Sequence, residues 1–159
     1  MEDVFFMLNA LDEAKKALMD GEIPVGAVIV RNGAIIGQGR NERASKSLPL
    51  AHAEINAIME AADALGSWRL DDCTLYVTLE PCLMCSGAIL ETRIPRVVYG
   101  APDPKAGAAG SLYNVLRDPR MPHRCSVVKG VLAVECSALL KSFFLKKRIS
   151  NSRPGESST

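Results

Sequence analysis

Histidine is scarce in this 159-residue chain, at two copies, and aromatic residues make up only 5% of it. No apolar run is long enough to span a bilayer. The stretch "VFFMLNAL" is short, follows the acidic Glu2 and Asp3 and is soon interrupted by charge, so it reads neither as an export signal nor as a membrane helix. Without such a signal, the five cysteines are expected as reduced thiols in the cytoplasm, where clustered cysteines bind metal or act chemically more often than they form disulfides. Internal repeats are also lacking. What remains is a chain of 48% hydrophobic residues, which suits one globular α/β domain and argues against disorder except at the polar end, "SNSRPGESST". We expect residues 1–150 to form a single domain and residues 151–159 a mobile tail.

Net charge is small but unevenly placed. Residues 1–92 carry 7 Lys or Arg against 14 Asp or Glu, whereas residues 93–159 carry 12 against 4. A basic second half is a recognised hint of a polyanionic partner, nucleic acid being the commonest.

Hydrophobic spacing predicts a helix over residues 3–20, then strands over 24–31 and 34–41 separated by Asn32-Gly33, a strong hairpin signal. A helix over 52–65, a strand over 73–79, a helix from Pro81 to about Thr92 and a strand over 96–100 follow. Residues 101–110 read as a loop leading to a short helix near 112–116, then a strand over 126–131. The last helix, about 134–148, is expected to lay Leu139, Leu140, Phe143 and Phe144 on the sheet. A hairpin followed by alternating helices and strands indicates a three-layer α/β/α domain, with a mixed sheet covered on both faces.

Two polar clusters interrupt this apolar pattern. In "PLAHAEINAI", His52 and Glu54 lie along the apolar stripe marked by Ile55, Ile58, Met59 and Ala62, so both lean toward buried surface. A buried histidine alone is usually a core residue bonded to a carbonyl, but a buried carboxylate requires a cation or a proton. In "TLEPCLMCSGAI", Pro81 suits the first position of a helix, which puts Cys82 and Cys85 in the opening turn on one face. The helix dipole there favours thiolates. Two thiolates and the His52 imidazole are three ligands of the kind zinc prefers, and three rather than four leaves a position for water, the mark of a catalytic site. A C-x-x-C alone is weak and also fits thioredoxin-like redox chemistry, which would leave His52 and Glu54 unexplained. His123 could in principle supply a fourth ligand. Cys73, Cys125 and Cys136 lack paired spacing and read as buried small hydrophobes. Asn41 ends the second strand, either as a turn residue or as a reader of a base through its donating and accepting amide.

His-x-Glu with Pro-Cys-x-x-Cys is the zinc-deaminase signature. Together with "EIPVGAVIV", "GRN", "LYVTLEPCLMCSGAI", "RIPRVVYGA", "DPKAGAAGSLYNVL" and "LLKSFF", the chain from about Val4 to Arg148 resembles the bacterial tRNA-specific adenosine deaminases of the zinc-dependent cytidine/deoxycytidylate deaminase superfamily. One departure is Pro122 in "MPHR", where relatives often carry asparagine. The resemblance implies a five-stranded cytidine-deaminase-like fold, one zinc ion per subunit and a homodimer. It also implies hydrolytic conversion of adenosine to inosine at the wobble position of tRNA(Arg), through a zinc-bound hydroxide with Glu54 as proton shuttle. By the same resemblance Asn41 faces the purine, Val25 walls the pocket, the Ala53 backbone meets the exocyclic group, and Asp103 and Lys105 contact neighbouring nucleotides. Lys146, Lys147 and Arg148, at the end of "KSFFLKKR", are candidates for phosphate contacts on the anticodon stem-loop. A zinc deaminase of free guanine or cytosine bases or nucleosides would share the metal site without the RNA partner.

Overall fold

The computed structural model describes residues 2–151. The first helix, α1 (Glu2–Met19), turns Phe6, Met7, Ala10, Leu11, Ala14 and Ala17 inward. Strands β1 (Gly26–Arg31) and β2 (Ala34–Arg40) form the hairpin expected at Asn32-Gly33. Both turn residues have positive φ, 51° and 77°, which gives the turn the twist that matches its strands. After α2 (Ala53–Leu65) come β3 (Cys73–Leu79), α3 (Leu83–Glu91), β4 (Arg96–Ala101), β5 (Ser126–Val128) and α4 (Ala133–Asn151).

The five strands form one sheet in the order β2-β1-β3-β4-β5. β1 is antiparallel to both of its neighbours, whereas β3, β4 and β5 run parallel. One core lies beneath α2 and α3 and includes Ile29, Leu75, Val77, Ile89 and Val97. The other lies beneath α1 and the first part of α4, around Met7, Val28, Tyr76 and Val98. This is the three-layer arrangement that the alternating pattern implies. Among the described residues no helix is long and apolar enough to cross a membrane.

Gly39 seats α2 on this sheet. A Cβ at that position would run into the backbone of Ala53 and Ala57, so only glycine lets the helix start lie this close to β2. The first turn of α2 therefore has little freedom in where it sits.

The structure departs from the sequence expectations in several places. Residues 112–116 are not helical. The amides of Leu112 and Tyr113 both donate to the Gly107 carbonyl, at 3.0 and 3.1 Å, and that of Val115 donates to the Ala108 carbonyl at 2.9 Å, so the loop consumes the donors a helix would use. β5 stops at Val128. Pro81 precedes α3 instead of opening it, because its carbonyl is taken by the Ala108 amide at 2.8 Å and Cys82, in extended conformation, becomes the N-cap. Along α4 only Cys136 is buried, while Leu139, Leu140 and Phe143 are half-buried and Phe144 is 45% exposed. A 19-residue helix is about 28 Å long against about 20 Å for a six-residue strand, so the end of α4 has no sheet to rest on. α4 includes Asn151, the first residue of the expected tail, and residues 152–159 lie outside the described residues.

Candidate active site

The starts of α2 and α3 meet beside each other at the β1–β3 side of the sheet. His52 is the N-cap of α2, held extended at φ −73° and ψ 155°, and its carbonyl accepts the first helical bond from Asn56 at 3.0 Å. That extended residue resolves a geometric difficulty, since side chains two apart on an ideal helix diverge. Because His52 stands outside the helix and Glu54 within its first turn, both can serve one site. Cys82 caps α3 in the same way, and Cys85 follows one turn later, fully buried.

His52 Nδ1 lies 3.7 Å from Cys82 Sγ and 3.5 Å from Cys85 Sγ. The three donor atoms fall within 4.8 Å of one another, a grouping that includes no fourth ligand among the described residues. Tetrahedral zinc, with bonds of about 2.3 Å to sulfur and 2.0–2.1 Å to nitrogen, requires nitrogen and sulfur about 3.6 Å apart, so the donor set fits that ion. His123 is elsewhere, with Nε2 3.0 Å from the Ile94 carbonyl. Cys73, Cys125 and Cys136 are buried singly, and burial pushes their thiols up to about 11, 11 and 12.

Electrostatics separate the ligands. The hydrogen bond from the Cys85 thiol, reinforced by His52, brings Cys82 down to about 4, while Cys85 is held up by that same bond and by burial. Contact with Cys82 raises His52. Two helix N-termini aim their positive ends at this cluster, which favours the anionic donors a metal needs. Glu54 is only 4% exposed, and desolvation raises its carboxyl to about 7. A carboxylate so placed can both take and return a proton near neutral pH.

These groups floor a cleft of about 150 Å³ lined by Ile23, Val25, Asn41, Arg43, His52, Ala53, Glu54, Leu79, Glu80, Cys82, Asp103 and Ala106. That is well below the roughly 300–1,000 Å³ of sites that enclose drug-sized ligands, so it holds one ring system and leaves attached groups outside. Val25, Asn41, Ala53 and Asp103 thus converge on the metal cradle. The Asn41 amide is fixed at both ends, donating to the Ile23 carbonyl at 3.3 Å and accepting from the Arg43 amide at 3.2 Å. Both expected readings of Asn41 are compatible with this geometry, because the turn-type bond to Arg43 orients the face it presents to the cleft. Asp103 spends Oδ1 on the amides of Lys105 and Ala106, at 3.0 and 3.2 Å.

Lys105 does not line the cleft. It borders a separate groove with Lys141, Phe144, Leu145, Lys146 and Arg148, whereas Lys147 lies over the Phe143 ring at 5.6 Å. Sequence reasoning missed Arg43, Glu22 and Glu80. Glu22 accepts from the amides of Ala44 and Ser45, at 3.1 and 2.7 Å, and so pins the loop that carries Arg43. The only local signal for Glu80 is its place directly before the Pro81-Cys82 helix start, and nothing in the local pattern marks Glu22.

Comparison with known proteins agrees with this geometry. Residues 1–101 match the cytidine and deoxycytidylate deaminase zinc-binding region. The tRNA-specific adenosine deaminase of Bacillus subtilis (strain 168) is 50% identical over 147 residues, which cover 92% of this chain and 91% of that one. A solved structure from a study of A-to-I editing by tRNA:A34 deaminases is 43% identical, with a TM-score of 0.82 over 86% of this chain and 99% of its own. A guanine deaminase from Nitrosomonas europaea shares the fold, at a TM-score of 0.75 and 24% identity over 87% of this chain and 82% of its own. With its sheet order, its paired helix starts and more than half its length matched, the chain belongs to the zinc-binding cytidine and deoxycytidylate deaminase family, as a deaminase of the zinc type.

Proposed function

We propose that this chain hydrolyses adenosine to inosine at the wobble position of the anticodon of tRNA(Arg). The observation that carries the reading is a carboxylate, Glu54, buried beside a three-donor cradle of His52, Cys82 and Cys85 in a base-sized cleft. Similarity to tRNA-specific adenosine deaminases along 92% of the chain supports RNA as the substrate.

In this reading His52, Cys82 and Cys85 hold one zinc ion per subunit, which supplies Lewis acidity that makes water nucleophilic near neutral pH. Glu54 takes a proton from the attacking water. It passes that proton to the ring nitrogen beside the reacting carbon. The second proton of the water, released as the new C–O bond becomes a carbonyl, then passes through Glu54 to the exocyclic amine, which departs as ammonia as the C–N bond breaks. Asn41 reads the purine edge with the donor and acceptor capacity that its protein bonds leave free, Val25 walls the ring, and the Ala53 backbone faces the exocyclic group. Asp103 and Lys105 meet neighbouring nucleotides, and Lys146, Lys147 and Arg148 meet phosphates. Only an extruded base enters so small a cleft, and extrusion is cheapest from a single-stranded anticodon loop. The enzyme acts in the cytoplasm as a homodimer.

Unmodified tRNA(Arg), its anticodon stem-loop, and free adenosine, guanine and cytidine are incubated with the zinc-loaded protein, and products are separated by chromatography. Inosine at the wobble position of the RNA is expected, with free bases and nucleosides unchanged. Turnover of guanine or cytidine with the RNA left intact would replace this reading by a free-base or nucleoside deaminase.

A further inference from the structure

Glu80 lies at the end of β3, two residues before Cys82, and is only 2% exposed. Its carboxylate is saturated. Oε1 accepts from the Asp103 amide at 3.1 Å and from the Ser111 hydroxyl, while Oε2 accepts from the amides of Ala109 and Ser111 at 3.1 and 3.0 Å. All four donors belong to one loop, residues 103–111, which carries Asp103 and Ala106 into the cleft wall. The loop also approaches the carboxylate as closely as a chain can. A Cβ at Gly107 would fall on the Glu80 carboxyl group, and the Ala108 amide closes onto the Pro81 carbonyl at 2.8 Å.

A carboxylate with its acceptor sites filled has no capacity left for proton transfer, and burying a charge is costly where an apolar side chain could fill the same space. Neither catalysis nor packing accounts for it. Its bonds instead join the strand end that leads into the metal ligands to the loop that forms the opposite wall of the cleft.

We infer that Glu80 is a positioning residue: its carboxylate holds the 103–111 loop as a preset wall of the cleft, so that an RNA substrate meets Asp103 and Ala106 in binding geometry. The inference rests on the RNA reading above. A preset wall spares the substrate the cost of ordering nine residues, which appears in binding and leaves the metal cradle and Glu54 unaltered.

The zinc-loaded Glu80→Gln protein tests this, since its amide nitrogen turns a donor toward a loop donor. Amide hydrogen exchange at Asp103, Ala109 and Ser111 is expected to quicken about tenfold or more. The loop over residues 42–48, pinned by Glu22, serves as an internal control and keeps its wild-type rates. KM for the anticodon stem-loop should rise about tenfold, with kcat within about threefold of wild type and zinc content unchanged. Wild-type exchange in the loop, a wild-type KM despite faster exchange, or loss of zinc with a fallen kcat would each overturn the inference. If E80Q does not fold, Ser111→Ala removes one anchor bond and should raise KM about threefold; an unchanged KM in S111A counts against the anchor. Should the wild-type protein leave the stem-loop untouched, the RNA reading fails, and exchange in E80Q still reports whether the anchor exists.

Discussion

The start of α2 and the end of β3 each bring a buried carboxylate to the same cleft, in opposite surroundings. Glu54 sits buried beside His52, Cys82 and Cys85, and desolvation dominates, so its carboxyl rises to about 7. Glu80 is also desolvated, but the Ser111 hydroxyl and three loop amides outweigh burial and hold it below the usual carboxylate range. Burial alone therefore says nothing of role. The number and source of the hydrogen bonds decide whether a buried acid exchanges protons or anchors chain.

The largest expected effect separates the two acids most sharply. Glu54→Gln keeps the shape of the site and its zinc but loses about 100- to 10,000-fold in turnover, read by single-turnover inosine formation beside a metal assay. An active E54Q would erase the distinction from Glu80, whose substitution is expected to act on binding.

Gly39→Ala sharpens the comparison by moving Glu54 without altering its chemistry. The new Cβ presses on the Ala53 and Ala57 backbone, so urea denaturation should show a loss of about 1–3 kcal/mol. Unchanged stability would mean that the first turn of α2 is not seated by this contact.

A smaller effect belongs to binding remote from both acids. Lys146→Glu with Lys147→Glu should weaken stem-loop binding and reduce the slope of log affinity against log salt by about one per lysine, with kcat kept. A salt series that leaves the slope intact would remove α4 from the interface.

Asp3 supplies the smallest effect and a third kind of acid. Its carboxylate accepts from Arg96 at 2.7 Å and from the Tyr76 hydroxyl at 2.8 Å, joining the start of α1 to β4, and the Arg96 bond lowers its pKa below 3.8. A lowered carboxyl contributes stability above its unfolded pKa and loses it as pH falls through the folded value. Asp3→Asn should therefore cost about 1 kcal/mol or less near neutral pH, and the two unfolding curves should converge as pH falls below the usual carboxylate range. A gap that widens on acidification would reverse that sign.

Much of this was legible along the chain because it is local. Period-two and helical spacing, the Asn32-Gly33 turn, and the chemistry of His-x-Glu and Pro-Cys-x-x-Cys depend on neighbours within a few residues. They determined the element order, apart from the helix expected near 112–116, the mixed sheet and the candidate donor set His52, Cys82 and Cys85. Phe144 and Lys105 show where local reading stops. Helical spacing alone put Phe144 on the sheet, but whether sheet lies beneath it depends on strand lengths set far away in sequence, and the structure leaves it exposed. Lys105 neighbours Asp103 in sequence yet faces the groove along α4, because Asp103 Oδ1 turns the chain between them. Only the tertiary structure decided that the starts of α2 and α3 converge, that Glu80 closes on a loop 23 to 31 residues away, and that the cleft is as small as about 150 Å³. Those are contacts between distant segments, fixed by how whole elements pack, and no short window of sequence contains both partners.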